Sequence, residues 1–584
     1  MKDLRRLLPL FGEYRRDLFL AMGFVLIETF FELVIPVLMA DLIDVGVAGG
    51  DVHYILVKGA QMGLCAVLAL AAGLLYARFA ARAAYGWGAN VRLAQFERVQ
   101  AYAFGNLDRF ETSSLVTRMT TDVTVLQNAV NGGLRPLVRS PVMLFMGVGL
   151  SFMMNARLAL VFVVCAPVLA CILFFVVRSV APRYPLLQRA VDKLNAVVQE
   201  DLTAIRAVKA FVRGEYEEEK FSSVNTSLME TSRGTFRRAV LNLPSLQAAM
   251  YVSVVGIMWF GGGMITRSEL LVGELTGFLS YVLQVMNSIM MISGIFLMLT
   301  RSLASARRIG EVLEEEPELS SPPEALTQVA DGRVDFEGVS FKYRAEAAEN
   351  ALSGVELHIA AGETVGILGG TGSAKSTLVQ LIPRLYDATE GRVLVGGRDV
   401  RDYDLAALRD AVAMVLQKNV LFSGTIRENL LWGDPGADEE TLMAACRAAC
   451  ADEFIERLPR GLDTDLGQGG VNVSGGQKQR LCIARALLKK PKVLIFDDST
   501  SAVDTATEAK IRSALAQLGG MTKIIIAQRI SSVMNTDKIV ILEDGRIHAV
   551  GSHAELLASD PIYQEIYASQ MKGGEPDGDA AEER

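Results

Sequence analysis

Apolar residues in this chain are segregated rather than spread. Before about residue 300, six apolar runs lie near 17–43, 55–80, 133–154, 156–180, 240–264 and 272–300. Each is long enough to cross a bilayer as a helix, which takes about 20 mostly apolar residues. Beyond them, short apolar runs alternate with polar helical stretches, as in a globular domain. At 584 residues, 51% hydrophobic and with a mean hydropathy of +0.30, the chain is too long for one domain and too apolar to be soluble throughout. The expected fold class is a six-helix all-α transmembrane domain followed by an α/β domain.

The gaps between the runs set orientation. Those after the first, third and fifth runs are short and carry only Arg157 and Arg267 as basic residues. Those after the second and fourth are long and rich in Arg and Lys, among them Arg92, Arg118, Lys209 and Arg237. The positive-inside rule then puts the long gaps and both termini in the cytoplasm, with the chain in the cell (inner) membrane. The long gaps keep a helical pattern with few Gly or Pro, which predicts rods extending from the membrane. Their turns fall near 107–114 and 211–221, tips suited to touching a soluble domain. Glu28, Glu32 and Asp41 are ionisable groups in or near the first run, where burial in lipid is costly. Two readings stay open for them, a place on a translocation pathway and solvation at helix ends or in a cavity. Met250, Met258, Met264, Met286, Met290, Met291 and Met298 enrich the last two runs. Flexible thioethers suit a surface that fits varied apolar ligands, and they equally suit ordinary helix packing.

The formal net charge of −8 and a pI near 5.4, with no basic stripe, predict no nucleic-acid partner. Six cysteines (65, 165, 171, 446, 450 and 482) form no disulfide or metal pattern and read as reduced packing thiols. In the second half, Glu363 to Leu368 reads as a buried strand, and it enters Gly369, Gly370, Thr371, Gly372, Ser373, Ala374, Lys375, Ser376 and Thr377. This is a P-loop. Its backbone N–H groups wrap a β-phosphate, Lys375 reaches the outer phosphates, and the Ser376 hydroxyl is a ligand for Mg2+.

The order of the remaining motifs resembles the nucleotide-binding domain of ABC transporters. Phe341-Lys342-Tyr343 looks like the A-loop, whose ring stacks on adenine, and Gln417 holds the Q-loop position between Mg2+ and the membrane domain. Val473-Ser474-Gly475-Gly476-Gln477 is similar to the family signature, with Val in place of Leu, and its Ser-Gly-Gly is expected to open a helix from Gln477 to Leu488 whose positive end faces an anion. Val493 to Asp497 resembles the Walker B strand, with Asp497 holding the Mg2+ shell, and Ser501 to Asp504 resembles the D-loop. The resemblance implies that ATP is sandwiched between two such domains, with the signature of one facing the γ-phosphate held by the other. Phe110, Leu115, Arg118, Asp122 and Val123 resemble the family's first intracellular-loop pattern, and Glu200, Ile205, Arg206, Lys209, Ala210 and Phe211 the second. Ser113-Ser114 stand where Gly-Asp or Gly-Glu is common. The implied organisation is a half-transporter of the exporter type, with a transmembrane domain at 1–318, a linker at 319–332, a nucleotide-binding domain at 333–568 and a disordered tail at 569–584.

Three positions depart from the family's active pattern. Asp498 replaces the Glu expected after the Walker B Asp, Gln528 stands at the switch His, and Ala374 replaces the Gly before the P-loop Lys. A carboxylate one methylene short is displaced from the water it must polarise. An amide cannot exchange the proton that imidazole can. Ala374 is costly if its φ is positive. The resemblance therefore implies a heterodimer, in which this chain's site is degenerate and its Ser474, Gly475, Gly476 and Gln477 complete a site on a partner bearing Glu and His. The expected cargo is hydrophobic or amphipathic small molecules, as in bacterial heterodimeric multidrug exporters. A lipid or peptide exporter subunit, and an ATP-gated regulator or channel, remain the alternatives.

Overall fold

The computed structural model describes residues 2–344, 347–498 and 505–572, and the chain divides into two compact units. The first comprises Met1–Gln100 and Thr112–Glu315. Among the described residues it is built of helices alone. The long ones are α1 (Arg15–Asp41), α2 (Val52–Gln100), α3 (Val123–Met154), α4 (Ala156–Val180), α5 (Tyr184–Ala210), α6 (Gly214–Ala239), α7 (Asn242–Thr266) and α8 (Val272–Glu314). The 49 residues of α2 reach about 74 Å at 1.5 Å per residue, more than twice the ~30 Å hydrocarbon core.

Four stretches among the described residues are long and apolar enough to cross a membrane: Leu4–Val47, Val52–Gln100, Thr112–Met154 and Val272–Ile292. Met250–Thr266 is a shorter apolar helix. The six runs of the sequence are thus met by four full spans on this measure. Helix α1 packs along α2, and α3 along α8. Ala72, Ala80, Ala83 and Ala84 lie buried on α2, and small side chains let helices approach closely in lipid.

The acidic groups of the first run are neither free nor simply solvated. Glu28 and Glu32, one turn apart on α1, pair with Arg135 and Arg139, one turn apart on α3. Asp41 pairs with Lys58 of α2 at 2.8 Å. The carboxylate of Asp44 accepts from the backbone N–H of Gly273 (2.6 Å) and Glu274 (2.9 Å), meeting the positive end of α8. Asp122 is 2% exposed and accepts from the Ser305 hydroxyl (2.8 Å) and Arg308 Nε (2.8 Å). Arg118 pairs with Glu311 at 2.9 Å. Two residues of the first intracellular-loop pattern therefore tie the approach to α3 onto the end of α8. Between α5 and α6 the backbone turns through Val212 at φ +53°, and Phe211 and Val212 are exposed.

The second unit comprises Ala101–Glu111 and Glu316–Arg584. Among the described residues it holds ten strands in two sheets: β1 (Val334–Phe341), β2 (Leu352–Ile359), β3 (Thr364–Leu368), β4 (Glu390–Val395), β5 (Arg398–Asp399), β6 (Val412–Val415), β7 (Val493–Asp497), β8 (Thr522–Ile526), β9 (Lys538–Glu543) and β10 (Arg546–Gly551). The four-stranded sheet, ordered β2-β1-β4-β5, is antiparallel. The six-stranded sheet runs β10-β9-β3-β8-β7-β6 and is parallel except at the β9–β10 hairpin. Strands β7 and β8 are buried at every residue, as parallel strands covered on both faces must be. Central β3 therefore delivers its C-terminal turn beside the ends of β7 and β8, where open α/β sheets bind ligands.

The stretch expected as a linker lies along this unit. The Ser320 carbonyl accepts from Arg384 (3.3 Å), the Ser321 hydroxyl donates to Asp404 (3.0 Å), and Leu326 exchanges backbone bonds with Asp402 and Asp404. A short helix, Phe104–Asp108, also belongs here. Its fully buried Asn106 donates to the Glu316 carbonyl (2.8 Å) and accepts from the Glu318 N–H (2.9 Å). The last described helix runs Pro561–Lys572, into the stretch expected as tail, and 573–584 lie outside the described residues.

Candidate functional site

The site begins where β3 ends. A Cβ on Gly369 would meet the Leu542 carbonyl oxygen at 2.3 Å, so only glycine lets the chain leave the sheet here. Gly372 turns the loop at φ +88°, and helix α9 (Lys375–Gln380) follows. Its N-cap is Ala374, at φ +68° and ψ +26°. The replacement noted in the sequence therefore sits in the left-handed region, where a Cβ costs about 1–2 kcal/mol.

Lys375 Nζ folds back over the loop, donating to the carbonyls of Gly369 (2.9 Å) and Gly370 (2.6 Å) and to Ser373 Oγ (3.2 Å). Burial holds its pKa below the usual lysine value, and Asp498 and Asp497 oppose that shift. At the end of β7, Asp497 is 3% exposed and accepts from the Ser376 hydroxyl at 2.6 Å. Burial pushes its carboxyl above the ordinary range, and the Ser376 hydrogen bond opposes that. Both charged groups lack the hydration they would have in water, which prepares the pocket for a polyanion with its cation. Oxygen donors such as Ser376 and Asp497 fit Mg2+, which favours hard ligands and keeps several waters.

Asp498 turns the chain at φ +46°, a region that Asp enters more readily than most residues. Gln528, just beyond β8, donates its amide Nε2 to Asp498 Oδ2 at 2.7 Å. The two substituted positions thus bond to each other. Tyr343 OH lies 2.8 Å from Thr377 Oγ1, which holds the aromatic ring at the edge of α9.

A cavity of about 820 Å³ brings together Tyr343, Thr371, Gly372, Ala374, Lys375, Ser376, Thr377, Gln417, Asp497, Asp498 and Gln528. Gly369, Gly370 and Ser373 stand behind it as partners of Lys375. Ser474 is elsewhere. It caps α10 (Gly475–Leu488), which opens two residues before the expected Gln477, and the Gln477 side chain returns a bond to the Ser474 N–H at 2.9 Å. Ser474, Gly475, Gly476 and Gln477 do not line the cavity. Asp504 and the rest of the D-loop motif lie outside the described residues. Sequence reasoning missed Glu349, Asn350 and Asp544, which also line the cavity. The Asp544-Gly545 pair was the one visible signal, a hairpin turn between β9 and β10.

Residues 18–289 match the family model of the ABC transporter transmembrane region, and 352–501 that of the ABC transporter. The uncharacterized ABC transporter ATP-binding protein YfiB of Bacillus subtilis (strain 168) is 38% identical over 552 residues, 94% of this chain and 96% of the relative. The chain belongs to the ABC transporters. An ATP-dependent lipid A-core flippase of Desulfotalea psychrophila is 34% identical over 484 residues, covering 82% of this ABC transporter and 84% of the flippase. A solved structure of a bacterial Atm1-family ABC exporter with ATP bound superposes with a TM-score of 0.80 at 25% identity, covering 97% of this chain and all of that one. This ABC transporter is accordingly a half-transporter of the exporter type, with a membrane domain followed by an ABC ATPase domain that binds ATP.

Proposed function

We propose that this exporter works as one half of a heterodimer, moving hydrophobic or amphipathic small molecules across the cell membrane while its own nucleotide site holds ATP more than it hydrolyses it. The observation that carries this reading is the 2.7 Å bond from Gln528 to Asp498. A general base needs a free lone pair aimed at water. Here the Asp498 carboxylate is short by one methylene and already accepts a hydrogen bond from an amide that cannot take up the proton of an attacking water. In this reading Ser474, Gly475, Gly476 and Gln477 present the N-terminus of α10 to ATP on the partner, whose Walker B Glu and switch His do the chemistry. Ser376, Asp497 and Gln417 would hold Mg2+, which supplies charge neutralisation at the phosphates.

The same proposal takes six spans, adding α4 and α7 to the four full ones. It also takes cytoplasmic termini, a membrane domain over 1–318, a linker over 319–332, a nucleotide-binding domain over 333–568 and a tail over 569–584. The second reading is a lipid exporter subunit, favoured by relatives that include a lipid A-core flippase. The deciding measurement is ATPase activity of the purified chain alone and co-expressed with candidate half-transporters from the same genome. Turnover alone is expected to be slow, rising at least about tenfold with the partner, a difference of ~1.4 kcal/mol in barrier. Fast turnover by the chain alone would overturn the degenerate-site reading.

A further inference from the structure

Residues 101–111 follow α2 in sequence, yet they pack within the nucleotide-binding unit. Four rings, the first on the short helix itself, connect it with the P-loop helix. Tyr343 meets Phe341 at 4.9 Å and Tyr386 at 5.4 Å between centroids, the second contact edge-on at 88°. Tyr386 in turn meets Phe341 at 5.5 Å and Phe104 of the short helix at 6.0 Å, edge-on at 90°. At one end the Tyr343 hydroxyl bonds Thr377 of α9, and at the other the Tyr386 hydroxyl donates to Asp108 Oδ2 at 2.7 Å. Burial first, and then Asp108, raise the Tyr386 pKa, so the phenol stays a donor at physiological pH. A cavity of about 1190 Å³, lined by Tyr343, Tyr386, Asp108, Arg109 and Glu318 among others, runs beside the rings.

We propose that Tyr386 is a positioning residue that relays occupancy of the adenine subsite at Tyr343 to the short helix Phe104–Asp108. Edge-to-face contacts depend on ring orientation. A base laid on the exposed face of Tyr343 fixes that ring's plane, which selects the orientation of Tyr386 and, through its hydroxyl, the position of Asp108. The relay rests on reading Tyr343 as the adenine contact, and the two ideas separate experimentally.

The test is backbone hydrogen exchange of the full chain in nanodiscs, followed at the amides of Leu107, Arg109 and Phe110. MgATP is expected to slow exchange there by at least about threefold, and magnesium tripolyphosphate, which lacks a base, is expected to leave it unchanged. Tyr386→Phe keeps the ring contacts but should lose the ATP effect, with ATP affinity held within about twofold. Asp108→Ala should do the same without touching the core of the unit, whereas Asp108→Asn, whose amide oxygen still accepts, should keep most of the response. No response in the native chain, a native response in Tyr386→Phe, or equal effects of tripolyphosphate and ATP would overturn the relay. Unchanged ATP affinity in Tyr343→Ala would instead refute the adenine reading.

Discussion

At the residue scale, two side chains beside the phosphate loop carry costs that function explains better than folding does. Ala374 holds a left-handed conformation that glycine would adopt without penalty. Ala374→Gly is expected to raise thermal stability, ATP affinity or both, by about 1 kcal/mol in total once the greater unfolded-state freedom of glycine is subtracted. Thermal melts with and without nucleotide, together with an ATP titration, measure both shares, and no change in either would mean the loop tolerates the methyl. Asp497 is the second. Its folded-state pKa is raised, so the native state binds this proton more tightly than the unfolded chain does. Stability from this group is therefore present below the unfolded carboxylate value of about 3.9 and falls as pH rises through the raised folded value. Asp497→Asn keeps an oxygen to accept from Ser376 and should raise the melting temperature at neutral pH while abolishing magnesium-dependent use of ATP. A melting temperature lowered by this change would show that the ionised carboxylate is held by more than Ser376.

At the scale of elements, what the sequence revealed was what is local. Strand β7 announced itself as an unbroken apolar run, and the P-loop as a strand, a glycine turn and Lys-Ser-Thr. Helix α10 was foreseen from its Ser-Gly-Gly opening, though two residues short, because the Ser474 cap and its bond with Gln477 set the true start. Contacts between distant segments were invisible. Glu28 and Glu32 were noticed as costly charges, yet their partners stand 107 residues away on α3 and fell inside a run read only for its hydrophobicity. The Asp122–Arg308 contact, 186 residues apart, gives physical meaning to a position first noticed by resemblance. Asp122→Ala leaves the half-exposed Arg308 guanidinium and the Ser305 hydroxyl without their acceptor. The expected loss is about 1–3 kcal/mol, less than for a fully buried pair. Thermal unfolding should show that loss, with ATP affinity unchanged, because the contact lies wholly in the helical unit.

At the scale of the whole molecule, the cavity and the signature stand apart. The residues that gather around the P-loop do not include Ser474, Gly475, Gly476 or Gln477, which stand at the start of another helix. If that helix serves a second protein's nucleotide, Ser474→Arg places a bulky cation where a γ-phosphate must sit, and turnover of the assembled exporter should fall by at least about 100-fold. Asp498→Asn should cost less than about threefold, since its carboxylate is already engaged by Gln528. ATPase rates of the two mutants at saturating MgATP decide between the readings. Equal damage would make this chain's own site essential and would end the asymmetric scheme.

The paired charges on α1 and α3 also bear on how the protein comes to be made. An arginine costs about 2.5–3.5 kcal/mol at the centre of a spanning helix and less toward its ends, so Arg135 and Arg139 make α3 harder to insert than its apolar residues alone would. Helix α1 leaves the ribosome first and brings Glu28 and Glu32 at the matching one-turn spacing. The earlier helix thus serves as a built-in escort for the later one, and the order of synthesis becomes part of what the sequence encodes.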